Sequence, residues 1–232
     1  MENIDYIFEP SRLLVVWHQS HADKPRHRRV IGELARVADN AEFRYLRGTP
    51  DFELALAEGF LGFPAFPLKG GPELFKDCLD VFVRRLPPRK REDFKEYLAQ
   101  YNLPSNFNGS DFALLGYTGA RLASDAFELC PDFSNAQAPL DIVIEVSGAQ
   151  YHAKDIKSVR EGAAVSFQPE PDNPFDPQAI MIKLEGSKIG YVNKAIAPGF
   201  ARLLKSGTVE GVILKNVERK NVVILLVLVR YR

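Results

Sequence analysis

The stretch from Gly162 to Lys194 constrains the fold more than any other part of the sequence. At its centre lies the cluster N-P-F-D-P, residues 173–177, between two runs in which apolar and polar residues alternate. Such alternation is typical of half-buried strands, and Asn, Pro and Asp together favour a rigid turn. The pattern predicts strand, turn, strand, tight turn, strand, with an aromatic ring and a carboxylate side by side on a stiff loop.

Similar strand-like runs fill the rest of the C-terminal part of the chain, together with one helix. The runs are 142–146, 164–168, 180–184, 188–192, 209–215 and 222–230, and the helix is 196–205. Six short strands and one helix in so short a segment are typical of a small closed or nearly closed barrel.

The N-terminal part mixes β-rich runs with amphipathic helices. Strands are predicted at 12–17, 30–37 and 42–46, and helices at 74–86 and 89–101. Ser110 and Asp111 are expected to begin a third helix, which ends at Gly116 or Gly119.

The sequence therefore predicts an α+β protein with two domains. Residues 1–128 are predicted to form a small sheet plus helices, the turn-rich residues 129–140 a linker, and residues 141–232 a small six-stranded β-barrel with one helix. No run approaches the roughly 20 apolar residues that span a bilayer, and the first ten residues lack a signal-peptide layout. We expect a cytoplasmic protein without membrane contact.

Composition and the absence of known motifs argue against several classes of function. The 30 Lys and Arg balance the 30 Asp and Glu, so any polyanion binding is expected to be local. Cys78 and Cys130 lie far apart in apolar segments, which predicts buried thiols. The motifs G-x-x-x-x-G-K-[ST], H-E-x-x-H, C-x-x-C and G-x-S-x-G are absent. We expect no enzymatic activity, no cofactor and no metal site.

The N-terminal part resembles the N-terminal subdomain of the HipA family of toxin kinases over roughly residues 11–126. The likeness rests on Trp17, Gly32-Glu33-Leu34, Phe43-Arg44-Tyr45, the run V-F-V-R-R-L-P-P-R-K-R from residue 81, and D-F-A-L-L-G from residue 111. The kinase core of that family has no counterpart in this sequence. The resemblance implies a docking or inhibitory module without kinase activity.

Residues 141–232 resemble the HIRAN domain, which occurs at the N-terminus of certain SWI/SNF-type helicases and as a freestanding bacterial module. The likeness rests on Val146-Ser147-Gly148 with Tyr151, on E-P-D-N-P-F-D-P-Q-A-I from residue 170, and on Ile189-Gly190-Tyr191-Val192. The best-understood members hold the free 3′ end of single-stranded DNA in a pocket on an OB-like barrel.

This resemblance implies a set of nucleic-acid-binding residues: Tyr151, Asn173, Phe175, Asp176, Tyr191 and Lys194. Phe175 and Tyr151 are implied to stack on the terminal bases, and Asp176 to accept the 3′ hydroxyl proton. A carboxylate repels phosphate, so a terminal 3′ phosphate is expected to be rejected.

Two further positions follow from the same resemblance. Lys194 is implied to meet a phosphate, and Tyr191 to make a polar ring contact. Gln150 stands where the well-studied relatives have an Arg, so this chain lacks one positive charge of the expected site.

A purely structural interpretation of these residues remains open. Asn173 and Asp176 are also suited to capping the turn, Phe175 to plugging the barrel mouth, and Tyr191 to lying half-buried on its strand.

Two functions follow from these alternatives. The first is recognition of single-stranded DNA at its 3′ hydroxyl end, to recruit or regulate a partner such as a HipA-like kinase, helicase or nuclease. The second is a protein-interaction module, an antitoxin-like regulator of a separately encoded HipA-like kinase. The sequence does not separate DNA from RNA.

Overall fold

A computed structural model of the protein describes residues 4–18, 27–152, 159–219 and 222–232. The chain divides into two compact units, which are not simple halves of the sequence. The first consists of residues 9–97 and 108–132. The second combines an N-terminal stretch that ends at Phe8 with residues 98–107 and 133–232. The predicted α+β class is confirmed.

A four-stranded antiparallel sheet forms the base of the first unit. Its strands are β1 (Arg12–His18), β2 (Arg28–Val37), β3 (Asn40–Tyr45) and β4 (Phe127–Pro131), in the order β3-β2-β1-β4. The three predicted strands are confirmed. The predicted linker at 129–140 differs from the structure, because Leu129, Cys130 and Pro131 are buried and pair with β1.

The helices of this part are α1 (Pro50–Ala57), α2 (Leu79–Val83), α3 (Phe94–Gln100) and α4 (Asp111–Thr118). The prediction for α4 is confirmed in detail: Ser110 Oγ accepts a hydrogen bond from the Ala113 N–H, and Gly119 ends the helix in the left-handed conformation. The prediction of a helix over 74–86 is wrong at its start. Phe75 pairs with Phe43 as a β-bridge, so only residues 79–83 are helical.

Aromatic rings build the core of this unit. Phe43 is fully buried, and its ring centroid lies 4.7 Å from that of Phe66 and 4.8 Å from that of Tyr45. The further rings of this cluster are Phe52, Phe60, Phe63, Phe75, Phe82 and Phe127. Cys78 and Cys130 are buried here as predicted, and no disulfide joins them.

The second unit contains a six-stranded antiparallel sheet. Its strands are β5 (Leu140–Glu145), β6 (Ala164–Pro169), β7 (Ile180–Leu184), β8 (Ser187–Tyr191), β9 (Val209–Arg219) and β10 (Val222–Tyr231), in the order β5-β10-β9-β6-β7-β8. All six strands match predicted runs. A β-bridge between Ser147, just after β5, and Tyr191 of β8 joins the two edges, so the sheet is nearly closed.

Two helices accompany this sheet: α5 (Ala149–His152), which was not predicted, and α6 (Ala197–Ser206), which was. The buried Phe200 of α6 packs against Phe167 of β6, with 4.9 Å between ring centroids. No helix in the described part of the chain combines the length and the hydropathy that crossing a membrane requires.

The N-terminal segment pairs with the outer edge of β5, where Ile7 forms a β-bridge with Asp141. The Asp141 N–H donates to the Tyr6 carbonyl at 2.8 Å, and Asp141 Oδ2 accepts from the N–H groups of Asp5 and Tyr6. Arg232 Nη2 donates to the other carboxylate oxygen of Asp141 at 2.7 Å. A buried carboxylate is stable only when its lone pairs are satisfied, so these four groups depend on one another.

Candidate nucleic-acid interface

The loop between β6 and β7, residues 170–179, is closed by its own backbone hydrogen bonds. The Glu170 N–H donates to the Ala179 carbonyl at 2.9 Å, and the Ala179 N–H donates to the Asp176 carbonyl at 3.0 Å. The Asn173 N–H bonds to the Glu170 carbonyl at 3.0 Å. The predicted turn is therefore confirmed as a compact one.

Side chains of the loop cap its backbone. Asn173 Oδ1 accepts from the N–H groups of Phe175 at 3.0 Å and Asp176 at 3.1 Å, which is an Asx turn. Asp176 Oδ1 accepts from the Gln178 N–H at 2.9 Å. The capping interpretation of both residues is confirmed, and these bonds fix where the next side chains project.

Phe175 projects into solvent from this rigid turn. Its side chain is 95% exposed, so the alternative that it plugs the barrel is wrong. A phenyl ring in water costs free energy that burial against a ligand would recover. Asp176, the next residue, is half-buried.

A polar network ties the loop to the end of β8. Glu170 Oε2 accepts from Asn173 Nδ2 at 2.6 Å and from the Tyr191 hydroxyl at 2.9 Å. Lys188 Nζ donates to the Tyr191 hydroxyl at 2.9 Å and lies 5.0 Å from the centre of that ring. Tyr191 is half-buried, as predicted.

The network shifts the ionisation of its members. The hydrogen bonds from Asn173 and then Tyr191 lower the pKa of the Glu170 carboxyl, because they stabilise the carboxylate. The hydrogen bond to Tyr191 raises the pKa of Lys188. Near neutral pH the network therefore holds one negative and one positive charge.

Gly190 lets β8 approach the start of α5. Its φ is +150°, and a Cβ there would lie 2.5 Å from Val146 Cγ1 and 2.6 Å from the Ser147 carbonyl oxygen. Only glycine permits both the conformation and the contact. The close approach allows the two hydrogen bonds, of 2.8 and 2.9 Å, that pair Ser147 with Tyr191.

Helix α5 brings Tyr151 and His152 to this edge of the sheet. Tyr151 is 81% exposed, and the His152 ring packs edge-on against Tyr191 with 5.4 Å between centroids. Burial, and then the nearby charge of Lys188, lower the pKa of His152. Gln150 is exposed on the same short helix.

The structure thus brings most of the predicted residues into one connected site. Asn173 Nδ2 and the Tyr191 hydroxyl are 3.3 Å apart, Phe175 and Asp176 bond to Asn173, and Tyr151 adjoins His152. Lys194 is exposed, three residues beyond Tyr191.

The sequence did not identify Glu170, Lys188 and His152 as members of the site. Glu170 and Tyr191 are 21 residues apart, and no local spacing indicates that their side chains meet. The available signals were that Glu170 begins the E-P-D-N-P-F-D-P motif and that Lys188 lies two residues before the G-Y-V motif.

Comparison with known proteins supports the C-terminal resemblance. The family model of the HIRAN domain matches residues 140–229. The crystal structure of the HIRAN domain of human HLTF is similar at 23% identity and a TM-score of 0.32, covering 39% of this chain and 74% of that one.

A crystal structure of a protein from Lactobacillus plantarum is similar at 23% identity and a TM-score of 0.34, covering 40% of this chain and 95% of that one. No curated protein matches the chain significantly. The family match begins at residue 140, so the resemblance of the N-terminal part to HipA stays a prediction.

Proposed function

We propose that the HIRAN-like region at residues 140–229 binds single-stranded DNA and recognises its 3′ hydroxyl end. The observation that carries this proposal is the 95% exposure of Phe175 on a turn fixed by Asn173. The family match adds to it, because the HIRAN resemblance implies binding of DNA ends.

Stacking is the expected source of affinity. Phe175 and Tyr151 are the two largely exposed rings of this region among the described residues. Each base that stacks on a protein ring contributes about 1 to 3 kcal/mol, and every base offers such a face. Binding should therefore depend little on base identity.

Asp176 supplies the selectivity for the strand end. An ionised carboxylate only accepts hydrogen bonds, and Oδ1 already accepts from Gln178, which leaves Oδ2 to accept from a ligand. A 3′ hydroxyl can donate that bond, whereas a 3′ phosphate would add repulsion between anions.

In this proposal the protein acts by binding and has no catalytic step. Its bound 3′ end would recruit or regulate a partner that works on DNA, such as a helicase or nuclease, or a HipA-like kinase. The polar network around Tyr191 supports a binding role, because it fixes the loop before any ligand arrives.

Fluorescence anisotropy with two labelled oligonucleotides tests the proposal. The strands share one sequence and end in a 3′ hydroxyl or a 3′ phosphate. We expect tighter binding to the hydroxyl, and we expect Asp176→Asn to abolish that preference while keeping the bond to the Gln178 N–H. Asp172→Asn removes the same charge from an exposed position in the same loop and serves as the control.

Each outcome decides a separate point. If both strands bind equally to the wild type, recognition of the 3′ hydroxyl is wrong and only strand binding survives. If neither strand binds, the proposed function is wrong. The same strands made of RNA decide between the two nucleic acids.

A second candidate function is docking of a separately encoded HipA-like kinase by the N-terminal unit. Leu61 is the side chain to test there, because it is 91% exposed between two glycines with positive φ, Gly59 and Gly62. Its test is autophosphorylation by a purified HipA-like kinase with and without this protein. An unchanged rate contradicts the candidate; inhibition that Leu61→Ser relieves supports it.

A further inference from the structure

Lys188, which is cationic, and His152, which can gain a proton, both contact Tyr191, and neither has a role in the function proposed above. Lys188 Nζ lies 2.9 Å from the Tyr191 hydroxyl, and the His152 ring packs against the same side chain. Burial lowers the pKa of His152, and the charge of Lys188 lowers it further. The Tyr191 hydroxyl is also 3.3 Å from Asn173 Nδ2, so both side chains adjoin the loop that presents Phe175.

The charges around His152 are few among the described residues. Lys188 of β8 and Glu170 of the loop after β6 act on its ring. Strand β10 also packs against α5, but the run from Val222 to Val229 has no ionisable residue. Lys154, Asp155 and Lys157 follow His152 and lie outside the described residues.

This region lacks the positive charge that the HIRAN resemblance leads one to expect before Tyr151, because Gln150 occupies that place. Lys188 of the neighbouring β8 supplies an ammonium group, and His152, the last residue of the same short helix, supplies an imidazole that can gain a proton. The ammonium of Lys188 offers three N–H donors, of which the Tyr191 hydroxyl takes one. The remaining donors are available to a ligand oxygen.

We propose that Lys188 and His152 form a binding site for a phosphodiester of the strand whose 3′ end lies at Asp176, and that His152 takes up a proton when this phosphate binds. This inference rests on the proposed function. Lys188 and His152 would bind the sugar-phosphate backbone of the strand, whereas the exposed rings of Phe175 and Tyr151 would stack on its bases.

The proton linkage has a definite sign. Burial and Lys188 disfavour the imidazolium in the free protein, so His152 is neutral near pH 7. A phosphate beside the ring stabilises the imidazolium and raises the pKa of His152 in the complex. Affinity for the strand therefore increases as the pH falls through the range in which His152 gains its proton.

The test measures the affinity of the full chain for a 3′-hydroxyl oligonucleotide by anisotropy, from about pH 8 to about pH 5 and at several salt concentrations. For Lys188→Met we expect binding about tenfold weaker and a salt slope smaller by about 0.7, the value of one lost phosphate contact on a single strand. For His152→Gln we expect unchanged affinity at pH 8 and loss of the increase in acid.

The control is Lys205→Met, which removes the same charge from an exposed position in the last turn of α6. It should leave the salt slope and the pH profile unchanged. Comparison of the wild type with His152→Gln also separates His152 from the other histidines, which are present in both proteins.

The outcomes distinguish this inference from the function on which it rests. If the wild type binds the strand, but Lys188→Met and His152→Gln bind with the same salt slope and pH profile as the wild type, the phosphate site is wrong and end binding stands. If the wild type does not bind at any pH, the proposed function itself is wrong.

Discussion

One group of aromatic side chains in each unit shows a contrast between buried and exposed rings. In the first unit, Phe43, Phe66 and Phe82 pack ring against ring in a buried cluster. In the second, Phe175 and Tyr151 project into solvent from short, hydrogen-bonded elements. Buried rings stabilise a fold through contact area, whereas exposed rings on a rigid support are suited to contact with something else.

Charged groups show the same contrast. Arg85 forms two hydrogen bonds with Asp125, of 2.6 and 2.9 Å, and its guanidinium is largely buried. That pairing supports a structural role for Arg85, one of the arginines in the run V-F-V-R-R-L-P-P-R-K-R from residue 81. Lys188 and Glu170 of the second unit are half-buried and are joined through the Tyr191 hydroxyl. Arg85 therefore pairs within the core of its unit, whereas Lys188 and Glu170 lie beside the loop at which we propose that a ligand binds.

The largest expected effect is loss of a buried ring. Phe43→Ala removes contacts with Tyr45, Phe66 and Phe82 and should lower the free energy of unfolding by about 3 to 5 kcal/mol. Trp17, the single tryptophan, belongs to β1 and contacts Phe60, so its fluorescence reports unfolding of this unit in urea. A loss below 1 kcal/mol would contradict the ring cluster as the core.

Glu128→Gln should cause the second largest loss in the free energy of unfolding. Burial alone raises the pKa of Glu128, but the hydrogen bond from His18 and the charges of Arg121 and Arg28 lower that pKa to about 2. Glu128→Gln leaves these cations without their anion and should cost about 3 kcal/mol of unfolding free energy at neutral pH.

The pH dependence of this effect has a fixed sign. The pKa of Glu128 is lower in the folded state than its ordinary 4.5, so its stabilisation is complete above 4.5 and is lost as the pH falls towards 2. The difference in unfolding free energy between wild type and Glu128→Gln should shrink over that interval in urea titrations. A constant difference would show that ionisation is not its cause.

Phe175→Ala makes the same change as Phe43→Ala, but at an exposed ring. We expect a loss of about 1 to 3 kcal/mol in binding to a 3′-hydroxyl strand, from one lost stacking contact. The free energy of unfolding should change by less than about 0.5 kcal/mol, because the ring is exposed. Leu61→Ala removes an exposed apolar side chain from the other unit and is the control for anisotropy and urea unfolding. Full binding by Phe175→Ala would remove this residue from the site.

The smallest effect concerns a helix cap. Ser110→Ala removes the hydrogen bond to the Ala113 N–H and another to Glu9, and should cost about 1 kcal/mol of stability. Binding of DNA should stay unchanged.

Asn173→Ala is the matched change in the second unit, and there we expect weaker binding, because its side chain holds the loop of Phe175. Equal effects of both variants on binding would contradict the division of roles between the units.

Local sequence patterns predicted most strands and helices well. They did not predict contacts between residues that are distant in sequence. The alternation around residues 173–177 and the Ser110 cap lie within a few residues of the structures that they specify, so both predictions are confirmed. The helical stripe from Phe75 failed, because a tertiary contact with Phe43 overrides its helical spacing.

The candidate site follows the same division. Phe175 and Asp176 are recognisable from their motif, and their turn is local. The hydrogen bond between Glu170 and Tyr191 depends on how β6 and β8 are arranged around β7, which no spacing in the sequence encodes. His152 reaches Tyr191 only because Gly190 permits the close approach to Ser147.

The pairing of residues 4–8 with Asp141 also has a consequence for synthesis on the ribosome. At about 5 to 20 residues per second, Asp141 emerges on the order of 10 s after Tyr6, and Arg232 later still. Until then the early segment has no partner, and the Asp141 carboxylate lacks its cation. A gene fragment that starts at residue 140 would encode the matched region without this segment, and the nascent strand β5 would keep an open edge for other chains to join.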